Sequence, residues 1–358
     1  MFRSPSVKIA LGVVLVLAVL AILHLRHEPG SMDEEAFHRG ATQGVARQTL
    51  TVAFVPVTCH LTCPVTDFAS KTSTTGTEFD ALRFTEFPTI AEALTSKKLE
   101  AAFLTVPLAM KLREKGVPIK ICCLGHRDGS EVMVRKDLPG TSLRDMKGRT
   151  FAIPGPYSNE NFFLRTLMRQ QGLQPDDIKI VVMPPPDMPT ALRPGGIDGF
   201  VVAEPFCSKA ELDGSGRVLY YAKDIWPHYI SCALAVHEDL IRDNPEVVQD
   251  LVRGIVDSGE WTERNRADAA RLVAPYFRQD PKLLNYVLTH PRDRVTYRML
   301  TPGDDEMQRI EDIGIGLGVL KKRIPMSELM DKRFIPKDIV PVKIDMSKLG
   351  TVPIAGKS

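Results

Sequence analysis

The sequence lacks the features of a nucleic-acid-binding protein. It has no dense run of basic residues with interleaved aromatic side chains, and the net charge of the 358-residue chain is only +2. A protein that binds nucleic acid is expected to present a strongly basic surface. We therefore predict that nucleic acid is not a partner. The chain also lacks a lysine in a recognisable cofactor motif, and we predict no bound cofactor.

The N-terminal segment lacks the usual processing signals of an exported protein. Arg3 and Lys8 come before an apolar run over residues 9–23, but no A-x-A cleavage site follows and no cysteine stands where a lipoprotein carries its lipid. The run is longer than a usual signal core and shorter than a comfortable membrane span. Residues 1–27 are thus predicted to be a signal peptide or a membrane anchor. Residues 28–48 are polar and are predicted to be a linker. Both alternatives place the remainder in the periplasm or another extracytoplasmic space, either released or anchored in the cytoplasmic membrane.

One short pattern occurs twice in the chain. Residues 99–107 read LEAAFLTVP and residues 197–205 read IDGFVVAEP, at an offset of 98 residues (197 minus 99). Each copy consists of an apolar residue, an acidic residue, a small residue, a strand-like apolar run and a proline. A buried strand of this kind is typical of a parallel sheet covered on both faces. The repeat predicts two α/β lobes of similar build.

The segments between these strands suggest where the lobes begin and end. We predict that residues 49–135 form the first part of lobe one and that residues 136–229 form lobe two. Residues 230–334 would return to lobe one with a strand followed by helices, and residues 335–358 would form an extended tail. The strands near residues 131–135 and 230–236 are expected to cross between the lobes.

Polar residues cluster where the predicted strands end. Ligands of open α/β sheets bind beyond the carboxyl ends of the strands, so these positions are the candidate binding site. Tyr157 is the best candidate for stacking on a solute. Ser158 or Asn159 is also expected to cap the following helix, whose free N–H groups can hold an anion or a carbonyl group. The candidate ligand-binding residues are Cys59, His60, Cys63, Thr66, Thr105, Tyr157, Ser158, Asn159 and Glu204.

The cysteine-containing loop allows several interpretations. Cys59 and Cys63 can form a disulfide bond in an oxidising compartment, can bind a soft metal together with His60, or can simply line the site. No clear fourth metal ligand is present, and we predict no metal site. Cys122 and Cys123 lie in an apolar run and are predicted to be core residues.

Two further groups also have both structural and functional interpretations. Glu204 either accepts hydrogen bonds from neighbouring loop N–H groups or contacts a solute. A bare carboxylate repels an anion, so a solute in contact with Glu204 would have to carry donors or bring a cation. Trp226 and Tyr229 either stack on a flat solute or pack at the hinge between the lobes.

Several segments together resemble a known family. Residues 195–206 (GGIDGFVVAEPF), 148–154 (GRTFAIP), 237–248 (HEDLIRDNPEVV) and 317–322 (LGVLKK) are similar, in this order, to the NMT1/THI5-like solute-binding proteins of nitrate, sulfonate and taurine ABC importers. The resemblance implies the two-lobed periplasmic-binding-protein type II fold, with each lobe a sheet flanked by helices. It also implies partners: a small solute and the permease and ATPase subunits of an importer.

The resemblance implies a transport function without covalent chemistry. The expected solute is a small oxyanion, a sulfonate or a pyrimidine-like heterocycle, held in the cleft between the lobes. Two alternatives remain open at this point. One is a thiamin-pyrimidine-synthase-like enzyme on the same fold. The other is a ligand sensor tethered to the membrane by the N-terminal segment.

Overall fold

The computed structural model describes residues 49–58, 69–70, 73–193 and 195–337. All of them belong to one compact unit of the chain, Gln48–Ser358. The predicted signal or anchor, the linker and nearly all of the predicted tail lie outside the described residues. Most of the described chain is arranged as two five-stranded sheets with helices packed around them, which confirms the predicted α/β fold class.

The first sheet is built around β3 (Ala101–Thr105), the strand of the first sequence repeat. All five of its residues are buried, as the continuous apolar run predicts. It pairs in parallel with β1 and antiparallel with a strand from much later in the chain. In spatial order the strands are β2 (Glu78–Arg83), β1 (Thr49–Phe54), β3, β11 (Cys232–His237) and β4 (Ile119–Leu124).

The second sheet is built in the same way around β9 (Gly199–Ala203), the strand of the second repeat. It too is fully buried, pairing in parallel with one neighbour and antiparallel with the other. In spatial order the strands are β8 (Lys179–Val182), β7 (Thr150–Ile153), β9, β6 (Ser130–Arg135) and β10 (Gly216–Tyr221).

The two sheets have the same topology, strand for strand. In each sheet, two parallel strands are followed by the repeat strand, which is parallel to them. The next strand is antiparallel to the repeat strand and comes from beyond a connection between the sheets. The edge strand is antiparallel to that fourth strand. The repeat at an offset of 98 residues therefore marks equivalent strands.

The chain passes from one sheet to the other earlier than the sequence indicates. The predicted boundary at residue 135 places β6 in lobe one, but β6 pairs with β9 and β10 in the second sheet. The first connection is therefore residues 125–129, which include the short strand β5 (Arg127–Asp128). β5 pairs with β12 (Val295–Thr296) from the C-terminal part of the chain. The second connection runs from Tyr229 to Ser231, just before β11.

The helices cover the sheets and form most of the C-terminal part. Prolines at the first positions of several helices fit their fixed φ and missing N–H. The helices predicted to follow the strand at residues 230–236 are present. The helices are α1 (Phe87–Thr95), α2 (Val106–Glu114), α3 (Asn159–Gln170), α4 (Met188–Leu192), α5 (Phe206–Leu212), α6 (Ala222–Ile225), α7 (Glu238–Asp243), α8 (Pro245–Arg264), α9 (Arg266–Phe277), α10 (Pro281–Thr289), α11 (Asp304–Gly316) and α12 (Met326–Leu329), with short 3-10 turns at Leu143–Met146, Pro185–Asp187 and Lys332–Phe334.

The described helices include none that is long and apolar enough to cross a membrane. Cys122 and Cys123 lie on β4 with no exposed surface, so their predicted place in the core is confirmed. Neither of them, nor the buried Cys207, is in a disulfide bond.

Candidate functional site

The carboxyl ends of the central strands of both sheets meet at one place, which we call the interlobe seam. It consists of Thr58, Thr105, residues 157–160, Glu204 and the two connections between the sheets. Two hydrogen bonds cross it directly. The Thr58 N–H donates to the Glu204 carbonyl at 2.7 Å. The Thr105 hydroxyl donates to the Tyr157 carbonyl, also at 2.7 Å. Four strand ends predicted to surround the solute are thus brought together in pairs.

The N-terminus of α3 is held at the seam by its capping residue. Ser158 has extended backbone geometry, and its Oγ accepts the Asn161 N–H at 3.1 Å, as expected of an N-cap serine. The next residue, Asn159, donates from Nδ2 to the carbonyls of Ile230 and Ser231 at 2.5 and 2.8 Å. Asn159 therefore ties α3 of lobe two to the second connection.

Glu160 joins the start of β6 to the second connection through one oxygen. Its Oε1 accepts the Ser130 hydroxyl and the Ser231 hydroxyl, each at 3.2 Å. The side chain is almost completely buried. Burial raises the pKa of the Glu160 carboxyl to about 7, because desolvation outweighs the two hydroxyl donors. This carboxyl can therefore change its charge near neutral pH.

Glu204 has protein partners for both carboxylate oxygens. Oε2 accepts the Ser208 N–H at 2.9 Å, and Oε1 accepts the Ser208 hydroxyl at 2.7 Å and Arg294 Nη1 at 2.6 Å. Arg294 also donates to Glu211 at 3.0 Å and to the Tyr221 hydroxyl at 3.2 Å. Glu204 is thus a strand-end carboxylate that accepts hydrogen bonds from its neighbouring turn, which is the structural one of its two interpretations. It also forms an ion pair with Arg294.

Glu131 and Cys207 extend this group into the second sheet. Glu131 lies 3.9 Å from Arg294 Nε through Oε1. Burial, and then the charge of Glu204, raise the pKa of the Glu131 carboxyl well above its usual range. Glu131, Glu204 and Cys207 could each offer a metal ligand atom, and these atoms lie within 4.8 Å of one another. Arg294 already supplies positive charge at this position, so the group is explained as a buried ion-pair cluster.

The aromatic residues considered for stacking on a solute lie in two different places. Tyr229 has no exposed surface and lies edge-on to Trp226 and to Phe163, with ring centroids 5.6 and 5.7 Å apart. These rings pack the region of the second connection. Tyr157 is half-buried, and Lys111 lies over its ring at 5.7 Å from the centroid.

Four of the predicted site residues, Cys59, His60, Cys63 and Thr66, lie outside the described residues, directly after Thr58. The other five are all at the seam. Sequence reasoning missed Glu160 as a site residue, although it stands next to Asn159. It also missed Arg294, which lies 90 residues beyond Glu204 and has no local motif to mark it.

A separate surface depression lies at the other end of the second sheet. It has a volume of about 500 Å³ and is lined by charged and glycine residues including Arg135, Arg193, Gly195 and Asp213. Arg135 and Ser130 are at opposite ends of β6. Ser130 pairs with Ala203, which is next to Glu204 at the seam. This depression is therefore remote from the seam.

Comparison with known proteins gives both a family and a fold. A model of the NMT1-like family matches residues 43–276. The nitrate import ATP-binding protein NrtC of Synechocystis sp. is 26% identical over 195 residues, which cover 49% of this chain and 29% of NrtC. The bicarbonate-binding protein CmpA of Synechococcus elongatus is 28% identical over 140 residues, which cover 38% of this chain and 30% of CmpA. The chain thus matches less than a third of the length of these two curated relatives.

Solved structures share the fold at low sequence identity. The ligand-binding component of an ABC-type import system from Staphylococcus aureus, solved with zinc bound, has a TM-score of 0.73 at 24% identity, covering 82% of this chain and all of that one. The periplasmic nitrate-binding protein NrtA from Synechocystis has a TM-score of 0.71 at 16% identity, covering 76% and 82%. The desulfurization enzyme DSZB has a TM-score of 0.58 at 16% identity, covering 80% and 97%.

Proposed function

The chain belongs to the NMT1-like family, and we propose that it is the extracytoplasmic solute-binding component of an ABC importer. It holds a small solute between its two lobes and delivers it to the permease and ATPase subunits. The solute is a small oxyanion, a sulfonate or a pyrimidine-like heterocycle. The N-terminal segment would export the protein or tether it to the cytoplasmic membrane.

The meeting of equivalent strand ends from two matching sheets is the observation that carries this proposal. Binding sites of open α/β sheets lie beyond the carboxyl ends of strands. Here the ends of β3 and β9 are equivalent in topology, and both lie at the seam. A solute bound there would contact both lobes at once, which is what couples solute binding to lobe closure.

Closure would be a rotation of lobe two about the two connections, with no covalent step. Both connections are short. Asn159 and Glu160 contact the second connection directly, and Glu160 also contacts Ser130, which follows the first connection. A solute that binds the closed state better than the open state shifts the population toward closure by its difference in affinity. The permease subunits would then recognise the closed form.

An enzyme on the same fold is the second candidate. The likeness to DSZB favours it, because this fold also accommodates catalysis. An enzyme would convert its ligand, whereas a binding protein would return it unchanged.

Native mass spectrometry of the protein purified from its own host, followed by a thermal-shift screen of nitrate, bicarbonate, sulfonates, pyrimidines and metal ions, tests the proposal. We expect one small molecule to be bound and to raise the melting temperature by several degrees. Recovery of a chemically altered compound after incubation would favour the enzyme. Failure of every compound to bind would overturn the transport function.

A further inference from the structure

Two buried hydrogen-bond acceptors at the seam have no partner in the described part of the chain. They are Asn159 Oδ1 and Glu160 Oε2. Both side chains are almost completely buried, at 1% and 2% exposure. The orientation of the Asn159 amide is fixed by its neighbours, because only the NH₂ group can donate to the two carbonyls of Ile230 and Ser231. The oxygen of Asn159 must therefore be the atom left over.

Buried polar atoms in native proteins are nearly always hydrogen-bonded, and an unsatisfied acceptor is costly. Two such acceptors on consecutive residues, at the N-terminus of α3, mark a place where a bound molecule would supply donors. The same α3 terminus would suit an anion if it carried only backbone N–H groups. The Glu160 carboxylate in its first turn works against this, since it repels an anion there.

The buried basic side chains near the seam already have protein partners. His126, in the first connection, lies 3.4 Å from the Thr58 hydroxyl through Nε2. The other three are arginine and lysine side chains. Arg294 binds Glu204 and Glu211. Arg127, in the first connection, binds both oxygens of Glu306 and three backbone carbonyls. The third is Lys111 of α2.

Lys111 forms an ion pair with Glu114 and donates to the Val319 carbonyl. Within the described residues, none of these three cations is left to balance a bound oxyanion. The described residues of the seam thus offer acceptors and negative charge in excess of donors and positive charge.

Building on the proposed function, we propose that the solute is a nitrogen base rich in N–H donors, of the guanidine, amidine or aminoheterocycle class. Its N–H groups donate to Glu160 Oε2 and Asn159 Oδ1. Of the three solute classes considered above, only the pyrimidine-like one can meet this requirement, and only where it carries amino groups. Hydrogen bonds from a cation to a buried carboxylate are stronger than neutral ones, so Glu160 would contribute most.

Matched pairs of probes separate the two solute classes. Guanidinium and nitrate are both small and planar with trigonal symmetry, but one carries only donors and the other only acceptors. Acetamidinium and acetate form a second pair, and 4-aminopyrimidine and benzenesulfonate a third. Binding of each probe to the full chain is measured by isothermal titration calorimetry at low millimolar concentration and pH 8. At this pH the Glu160 carboxyl is mostly ionised.

Two variants then identify the binding group. Glu160→Gln keeps one acceptor oxygen for the serine hydroxyls but replaces the other by an NH₂ group, and we expect it to weaken binding of the donor probes at least tenfold. Glu311→Gln is the matched control. Glu311 is also a buried carboxylate, but it accepts from Ile324 and Arg323 away from the seam, so donor binding should be unchanged.

The outcomes are distinct. Binding of donor probes that Glu160→Gln weakens and Glu311→Gln does not would support the proposal. Binding of nitrate, acetate or benzenesulfonate as tightly as their donor counterparts would overturn it, as would donor binding that both variants leave equal. Both results would leave the transport function intact. If no probe binds and the purified protein carries no small molecule, the transport function fails together with the inference.

Discussion

Glu160 takes its properties from its position rather than from a charged partner. One oxygen receives two hydroxyl donors, from Ser130 and Ser231, and the side chain is otherwise enclosed. Two neutral donors do not replace the hydration that a carboxylate loses on burial. The pKa of about 7 follows from this imbalance, and the same imbalance leaves the second oxygen available to a donor.

Glu160→Gln should change how stability depends on pH. The folded-state pKa of Glu160, about 7, lies above the value of an unfolded glutamate, so the native state binds the proton more tightly. Its stabilising contribution is therefore complete below the unfolded pKa, near 4, and is lost as pH rises through 7. At pH 8 the variant should be more stable than the natural protein by up to about 3 kcal/mol, and at pH 5 the gain should be much smaller.

Urea unfolding at pH 5 and pH 8 measures this difference. Asp128, whose carboxyl pKa is also raised to about 7 by burial, is present in both proteins and cancels in the comparison. If the difference in unfolding free energy between the two proteins is the same at pH 5 and pH 8, Glu160 is already ionised in the folded protein at pH 5 and its pKa is not raised.

The residues at the seam were predictable only where a general rule places them. Thr105 and Glu204 end buried strands, and Ser158 begins a helix after a strand, so the strand-end rule applies to each. Arg294 follows no strand of the predicted lobes. Its segment lies between α10 and β12, and β12 pairs with β5 in the first connection, a long-range contact that the local sequence does not encode.

Among the single elements, the two repeat strands β3 and β9 differ at one position that the structure explains. Gly199 occupies the position of Ala101 in β3. A Cβ at Gly199 would lie 2.6 Å from the Met133 carbonyl and 2.6 Å from the Phe151 ring. The closeness of β6 to β9 therefore requires glycine, whereas β3 tolerates alanine.

Gly199→Ala should lower the free energy of unfolding by about 1–3 kcal/mol, because backbone and a buried ring would have to move. Urea denaturation measures the change. Gly316→Ala is the control, since a Cβ there meets nothing within 4 Å and helical glycine is intrinsically unfavourable. A Gly199→Ala protein as stable as the control would mean that β6 and β9 can separate at little cost.

Helix α8 anchors the segment that leads into β2. Asp250 accepts from the hydroxyl of Ser73, from the N–H and hydroxyl of Thr74 and from the N–H of Thr75. Burial alone would raise the pKa of the Asp250 carboxyl, but these donors, beginning with Ser73, hold it below its usual value. This carboxylate therefore fixes residues 73–75 onto the helix.

Asp250→Ala should release the segment and lower stability by about 2–3 kcal/mol, since several donors lose their charged acceptor. Hydrogen exchange at the Thr74 and Thr75 amides should become faster, while exchange in β9 should keep its rate. Asp243→Ala, which removes an exposed carboxylate paired with Arg242, is the comparison. Unchanged exchange at Thr74 would contradict an anchoring role for Asp250.

The elements themselves were largely predictable because apolar periodicity and proline positions are local signals. The sheet to which β6 belongs was not. Glu131 to Arg135 has the pattern of a buried strand in any sheet, and its partners β9 and β10 lie far along the chain. Local sequence therefore predicts the strand but leaves its pairing undetermined.

For the whole molecule, the matching topology means that each lobe is completed by a strand from beyond a connection. β6 follows the strands of the first sheet but pairs in the second, and β11 follows the strands of the second but pairs in the first. The two connections are consequently anchored in both sheets, and rotation of one lobe must be absorbed within residues 125–129 and 229–231. Asn159 and Glu160 contact Ile230 and Ser231 of the second connection, and Glu160 contacts Ser130 at the end of the first, so a solute bound to them would act directly on the hinge.

Besides the two connections between the sheets, Arg294 attaches the C-terminal part of the chain to the second lobe. Arg294→Met should leave the buried Glu204 and Glu131 without their cation and lower the free energy of unfolding by about 3–5 kcal/mol, measured in urea. Adding Glu204→Gln should recover part of the loss, because the neutral side chain keeps an acceptor for Ser208 and no longer carries an unpaired charge. A double variant whose loss equals the sum of the two single losses would show that the two groups act independently. Recovery of stability in the double variant would instead mean that the ion pair itself adds little to stability. Removing one partner of a buried ion pair is destabilising, but replacing both partners costs little. The cluster would then serve mainly to fix the position of the C-terminal segment.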